Sequence, residues 1–395
     1  MRRGTVLLVC GLVGCCWGGL AWADQGTDTQ RASGARIAEL IEQLGAKSYV
    51  ARRRAARELI AVGAPAKDGL LAARGHRDPE VRYRVGELLQ TVLELDFHLR
   101  LKAFIADVDG RTEHHLAGWS RYRELVGENG PARRLFATMQ QAERHLLEVA
   151  EFSPADAGEL LEERCEELQA AHHADEQPSQ APSLGSIAAV LFVASDPELP
   201  VSPQAGTCVY NLSVQGEMHS AATTGEKAQT VKRLLGAWVR RSEWVDWTVA
   251  NQSCILAVYY RLQEGIDLAR SLLQGDGTPQ LSRQYSIQTL ARLGGKQLLP
   301  EIGALLADRS EVAELSAGDQ DETIKTLICD VALASLIYLT GQNLGDYGFD
   351  VDEVQSNSVM LFDARTLGFA DADAREAALI KWKDWAETHI ADIEP

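Results

Sequence analysis

The feature that most narrows the possible folds is an internal repeat near the start of the chain. "ARIAELIEQLGAKSYVARRRAARELIAVGAPAKDGLL" runs into "LLAARGHRDPEVRYRVGELLQTVLEL", and the second unit follows the first by thirty residues. Leu40 and Ile41 fall on Leu70 and Leu71, Ala55 and Leu59 on Val85 and Leu89, and Arg52 on Arg82. Two short amphipathic helices cannot bury their apolar sides alone and must stack on a neighbour. The repeat therefore predicts an all-α chain of helical pairs, and Leu40, Leu59, Leu70 and Leu89 are expected in its core. Aromatics make up only 6% of the 395 residues while 46% are apolar, a balance that suits close-packed helices better than sheets.

Local signals agree with that pattern. Ile37, Leu40, Ile41 and Leu44 repeat at helical spacing up to Gly45, and a second helix is predicted from about Tyr49 to Val62, ending at Gly63. In "RDPEVR" (77–82), Asp78 can cap a helix, Pro79 fits its first turn and Glu80 favours the positive end of the dipole. Paired helices with D-P-x-V-R opening the second helix resemble HEAT repeats, and the thirty-residue period resembles the compact members of that family. The resemblance implies an α-solenoid of HEAT-like (armadillo-like) pairs, here in two halves. "DVALASLIYLTGQNLGDYGF" and "REAALIKWKDWAE" resemble the C-terminal part of exported bacterial helical-repeat proteins, over about a hundred residues and with no chemistry implied.

Residues 1–23 read as a signal peptide: Arg2-Arg3, an apolar run from Thr5 to Leu20, and Ala21-Trp22-Ala23 before Asp24. Leu12-Val13-Gly14-Cys15 also resembles the lipobox of bacterial lipoproteins, which implies a lipid anchor at Cys15 as the alternative; a membrane anchor over 4–23 is a third reading. Each puts the mature chain outside the cytoplasm, in periplasm, at the cell surface or secreted. No later run is long enough to span a membrane; "IAAVLFVA" (187–194) is too short. Residues 24–34 are expected to be a flexible lead-in, 35–172 an N-terminal helical region, 173–185 a linker, and 186–395 a C-terminal helical-repeat region. The latter has a long irregular loop at 341–370, which is expected to be functional or disordered. "QLSRQYSIQTLARLGGKQLLPEIGALLADRS" (280–310) reads as a further helical pair broken at Gly294-Gly295, and 321–342 as one long helix. Asp371 is expected to cap the final helix, with Ala374, Ala377, Ala378, Ile380, Trp382 and Trp385 as its apolar face.

Outside the first 23 residues the cysteines are Cys165, Cys208, Cys254 and Cys329, with no close spacing. Buried thiols are favoured over a disulfide framework, which would allow three pairings.

No motif points to chemistry. There is no GxGxxG or GxxxxGK[ST] loop, no HExxH and no GxSxG elbow. His114-His115 and His172-His173 are adjacent pairs whose members point to different faces. Asp107-Val-Asp109-Gly110 lacks the later ligands of a calcium loop, and Asp346, Asp350, Asp352 and Glu353 read as a solvated acidic run. No cofactor or metal is expected. The fifty-six acidic residues still leave room for a hydrolase or lyase with a groove of carboxylates and His in the C-terminal half.

Charge is unevenly distributed. The net charge is −17, yet between Arg31 and Ala103 Lys and Arg outnumber Asp and Glu by five. Arg52, Arg53, Arg54 and Arg57, with Arg82 and Arg84 one repeat on, are the candidate partner-binding residues. They form either a solvated helix face or a stripe for an acidic protein or anionic polymer. Export and overall acidity argue against nucleic acid. Trp238, Trp244, Trp247, Tyr259 and Tyr260 are expected to pack in the core, an exposed aromatic groove being the alternative. The expected function is a non-catalytic scaffold or protein-interaction module with a protein partner.

Overall fold

The computed structural model describes residues 34–173, 182–241, 246–316, 323–351, 354 and 359–389. Residues 1–23, read from the sequence as a signal peptide, with Cys15, most of the 24–34 stretch, the middle of the 173–185 stretch, Trp244, Asp352 and Glu353 lie outside these residues. Among the described residues the fold is all-α apart from one short hairpin, and the chain divides into two compact units, up to Ala103 and from Phe104. Among the described residues no helix is long and apolar enough to cross a membrane.

The first unit contains the repeat. Helices α1 (34–43) and α2 (Tyr49–Val62) form one pair, and α3 (Lys67–Ala72) and α4 (Pro79–Ala106) the next. The Ser48 hydroxyl accepts the Ala51 amide at the start of α2, and the Asp78 carboxylate accepts the Glu80 amide at the start of α4. Leu40, Leu59 and Leu70 are at most 1% exposed and Leu89 6%, so the four leucines that the repeat aligns share one core with Ala55, Val81 and Val85. Burying each leucine contributes about 1.5–3 kcal/mol. Leu71 departs from the alignment: it is 40% exposed although Ile41 is buried. The short α3 passes into a 3-10 turn, so its second leucine does not face the same neighbour.

The second unit is built around α8 (Leu184–Ala194), in which every residue from Gly185 onward is buried. It packs along α6 (Gly130–Phe152), which follows α5 (Trp119–Val126) and precedes α7 (Pro154–His173). That packing keeps the chain on either side of the 173–185 stretch in one unit, and the division falls at Ala103/Phe104 instead. Two guanidiniums close the C-terminal end of α8: Arg121 donates to the Phe192 carbonyl and Arg241 to the Ala194 carbonyl. Cations are favoured there by the helix dipole. Helices α9 (Pro203–Ser213), α10 (Gly216–Thr223), α11 (Ala228–Val239), α12 (Trp247–Tyr260), α13 (Glu264–Gln274) and α14 (Gln280–Gly294) follow as a series of short helices, α12 packing on α9, α11, α13 and α14.

Two expectations fail near the C-terminus. Residues 323–327 are not the start of a helix: β2 (Thr323–Leu327) pairs antiparallel with β1 (Glu311–Ser316), and Lys325 bridges Glu311 and Glu314 at 2.8 Å each. The β-branched Ile324 and Thr326 suit a strand, with the exposed Lys325 between them on the other face. The helix here, α16 (Ile328–Thr340), begins only at Ile328, where the Asp330 carboxylate accepts the Leu327 amide. The second helix of the 280–310 pair is reduced to α15 (Leu299–Gly303) between 3-10 turns.

The described part of 341–370 is irregular but packed. Tyr347, Phe349, Met360, Leu361, Leu367 and Phe369 are buried, and the Leu361 and Phe362 amides both donate to the side-chain carbonyl of Gln288, itself buried in α14. Asp371 accepts the Ala374 amide at the start of α17 (Ala372–His389), as expected. The buried face of α17 is Ala378, Leu379 and Trp382; Ala374, Ala377 and Ile380 are exposed.

Candidate functional site

Charge, aromatic rings and open volume come together where α4 ends and α6 begins. Phe104 and Ile105 are in the last turn of α4, and the chain then runs through an irregular loop to Trp119. Asp107 organises that loop. Its carboxylate accepts the Arg111 amide at 2.9 Å, the Thr112 amide at 3.0 Å and a bond with His114 Nε2 at 2.9 Å, while Arg133 Nη2 stands 3.6 Å away. The Thr112 amide and then His114 contribute most to holding the carboxyl down at about 2.

Arg133, from the first turns of α6, is buried. It donates to the Phe104 carbonyl at 3.0 Å and lies 4.2 Å from the Phe104 ring centroid and 5.3 Å from that of Trp119. A buried guanidinium is tolerable when a carbonyl, a carboxylate and two ring faces replace its water. Phe104, Trp119, Phe136 and Tyr122 continue behind it as one aromatic cluster, with Phe104 and Trp119 4.8 Å apart edge to face.

In front of Arg133 opens a cavity of about 360 Å³ whose apolar wall is Phe104, Ile105, Val108 and Ala137. Ile105 is 49% exposed and Val108 70%, both at the mouth. The polar lining comprises the cations Arg133, Arg134 and Lys227 beside the neutral Thr138 and Gln141. Arg134 pairs with Glu226 at 2.6 Å in an exposed contact, and Lys227 has no ion pair among the described residues. An exposed pair is worth little, so a ligand carboxylate could displace Glu226 at small cost. The arrangement can hold an apolar group and a negative charge together.

The Asp107–His114 pair has the elements of an acid–base dyad but is aimed inward. The His114 ring meets Phe104 edge-on at 5.4 Å and its side chain is 9% exposed, so the pair fixes the loop that carries Val108. Asp107 and His114 were separately visible in the sequence; that they meet, and that Arg133 joins them, had no local signal. His115 points to solvent, so the adjacent histidines do face different ways. Among the described residues no group of three or more His, Cys, Asp or Glu could hold a metal ion. The side chains of His172 and His173 lie outside them.

The candidate arginines of the first unit have divided roles. Arg52 donates to the Ala46 and Lys47 carbonyls, and Arg82 to those of His76 and Arg77. Arg54 pairs with Glu58 and Arg84 with Glu80. Arg57 reaches only the Arg53 carbonyl, and Arg53 and Arg57, both exposed, have no acidic partner among the described residues. The aromatic group also divides: Trp238 and Tyr260 are buried, whereas Trp247 and Tyr259 are 43% and 39% exposed. No family model, curated protein or solved structure matches the chain.

Proposed function

We propose that this protein is a non-catalytic, exported interaction module of the HEAT-like helical-repeat class. In this reading the groove beside Arg133 seats an acidic amphipathic segment of a partner protein. The observation that carries it is the combination of exposed Ile105 and Val108 with Arg133, Arg134 and Lys227 around one opening, in a chain of net charge −17. An apolar patch bounded by charges of one sign is what a complementary amphipathic segment recognises, the apolar part supplying affinity and the charge orientation.

The test is capture of partners by the full chain compared with Val108→Glu and Lys227→Glu. Each should weaken a captured partner's binding at least tenfold, and a short acidic amphipathic peptide should compete for it. Binding that both variants retain in full sinks the proposal.

A second reading rests on Arg53 and Arg57, exposed and without acidic partners on α2. They could attract an anionic polymer. Affinity would then fall steeply with salt and with Arg53→Glu/Arg57→Glu, while the groove variants would leave it unchanged.

A further inference from the structure

Among the four cysteines outside the first 23 residues, two face each other. Cys165 in α7 and Cys208 in α9 are each 2% exposed, and these two helices pack together. The Cys208 thiol donates to the Cys165 carbonyl oxygen at 3.4 Å. A carbonyl oxygen lies close to its own Cα, so the Cys208 sulfur sits against the backbone of Cys165. The neighbouring Cys208 thiol and then burial push the Cys165 thiol far above its usual range. The other cysteines have different neighbours: Cys254 meets Thr289, and Cys329 meets the Asp330 carboxylate at 3.5 Å. Of the three pairings that four cysteines allow, one is prepared by the fold.

We infer that Cys165 and Cys208 are a redox pair that closes to an inter-helix disulfide when the chain meets a disulfide-bearing oxidant. In the first step one cysteine thiolate attacks a sulfur of the oxidant, forming a mixed disulfide and expelling one oxidant thiolate. In the second, the other cysteine attacks the protein sulfur of that mixed disulfide and expels the second oxidant thiolate. The two thiol protons pass to the two departing thiolates, so one dithiol is oxidised and one disulfide reduced. Burial makes both steps slow in the folded protein and fast during folding, before α7 and α9 close over the sulfurs. The bond would lock α7 to α9 and close a loop of about forty residues, a length at which a cross-link removes substantial freedom from the unfolded chain.

The test uses the full chain, refolded with oxidised dithiothreitol, then alkylated and digested without reduction. The expected result is one peptide pair joining Cys165 to Cys208, about 2 Da lighter than the sum of its reduced halves, with Cys254 and Cys329 alkylated. The oxidised protein should melt about 5–10 °C above the reduced one. This gain should vanish in Cys208→Ser and persist in Cys254→Ser. Alkylation of both Cys165 and Cys208, their capture as separate mixed disulfides, or a link from either to another cysteine would each overturn the inference, with or without the variants.

Discussion

Arg52 and Arg82, thirty residues apart, make the same two bonds. Each guanidinium donates through Nη1 to the carbonyls six and five residues before it: Ala46 at 2.8 Å and Lys47 at 3.1 Å, His76 at 2.7 Å and Arg77 at 3.2 Å. The sequence repeat is thus also a repeat of bonding. In each pair the arginine that follows the capped first turn reaches back to the loop that precedes it and satisfies carbonyls left over from that loop.

The first prediction tests that role. Arg52→Ala should destabilise the first unit by about 1–2 kcal/mol, since it leaves two carbonyls without their donor. Arg82→Ala should cost somewhat less because Arg82 is more exposed. Arg53→Ala, which removes an exposed side chain, should stay within about 0.5 kcal/mol of the parent. Urea unfolding of the three variants decides it; equal losses at 52 and 53 would reduce Arg52 to an ordinary surface residue.

The second concerns the buried pair at the start of α16. Asp330, fully buried, accepts from Arg375 at 2.8 Å and from the Leu327 amide, and Arg375 also donates to the Lys325 carbonyl. One carboxylate therefore caps α16 and ties α17 to the hairpin. Arg375→Gln should cost about 3–5 kcal/mol at neutral pH by leaving that carboxylate uncompensated. Burial already raises the Asp330 pKa, so its ionisation opposes stability as pH rises through that pKa. The loss in Arg375→Gln should accordingly shrink as pH falls toward 4. Asp330→Asn/Arg375→Gln should cost less than the two single changes added together.

The third uses Asp107, whose shift has the opposite sign. Its carboxyl is held at about 2 in the fold against 3.8 ordinarily. Its stabilisation is complete above about pH 4 and is lost as pH falls through 2. The stability gap between the parent and Asp107→Asn, read from urea midpoints, should be constant from pH 7 to about 4.5 and close between 4 and 2. A gap that does not change with pH would mean the carboxylate's charge plays no part.

The fourth contrasts two helical glycines. A Cβ on Gly185 would lie 2.5 Å from the Thr138 carbonyl oxygen, because α8 meets the backbone of α6 there. Gly185→Ala should therefore destabilise the second unit by about 1–3 kcal/mol. Gly86, in α4, has nothing within 4 Å of the same position, and Gly86→Ala should stabilise by about 0.5–1 kcal/mol through helix propensity alone. Thermal melting of both variants should show shifts of opposite sign.

What the sequence determined by itself is what short-range pattern can carry. The spacing of Leu40, Leu59, Leu70 and Leu89 placed them in one core, and the caps at Ser48, Asp78 and Asp371 started helices where they stand. The unbroken apolar run of 187–194 became the central buried helix. These properties depend on helical periodicity and on bonds between residues two to four apart. Tertiary structure decided the rest. Lys325 lies in a strand because a partner strand with Glu311 and Glu314 was available to pair with it. The 341–370 stretch is packed because a glutamine seventy residues earlier receives its amides. Asp107 and His114 meet because a loop turns back on itself, and Arg133 joins them from another helix. Cys165 and Cys208 face each other because α7 and α9 pack. Such contacts form only when separate elements close on one another, and no local pattern encodes which carboxylate, amide or thiol will be waiting on the other side.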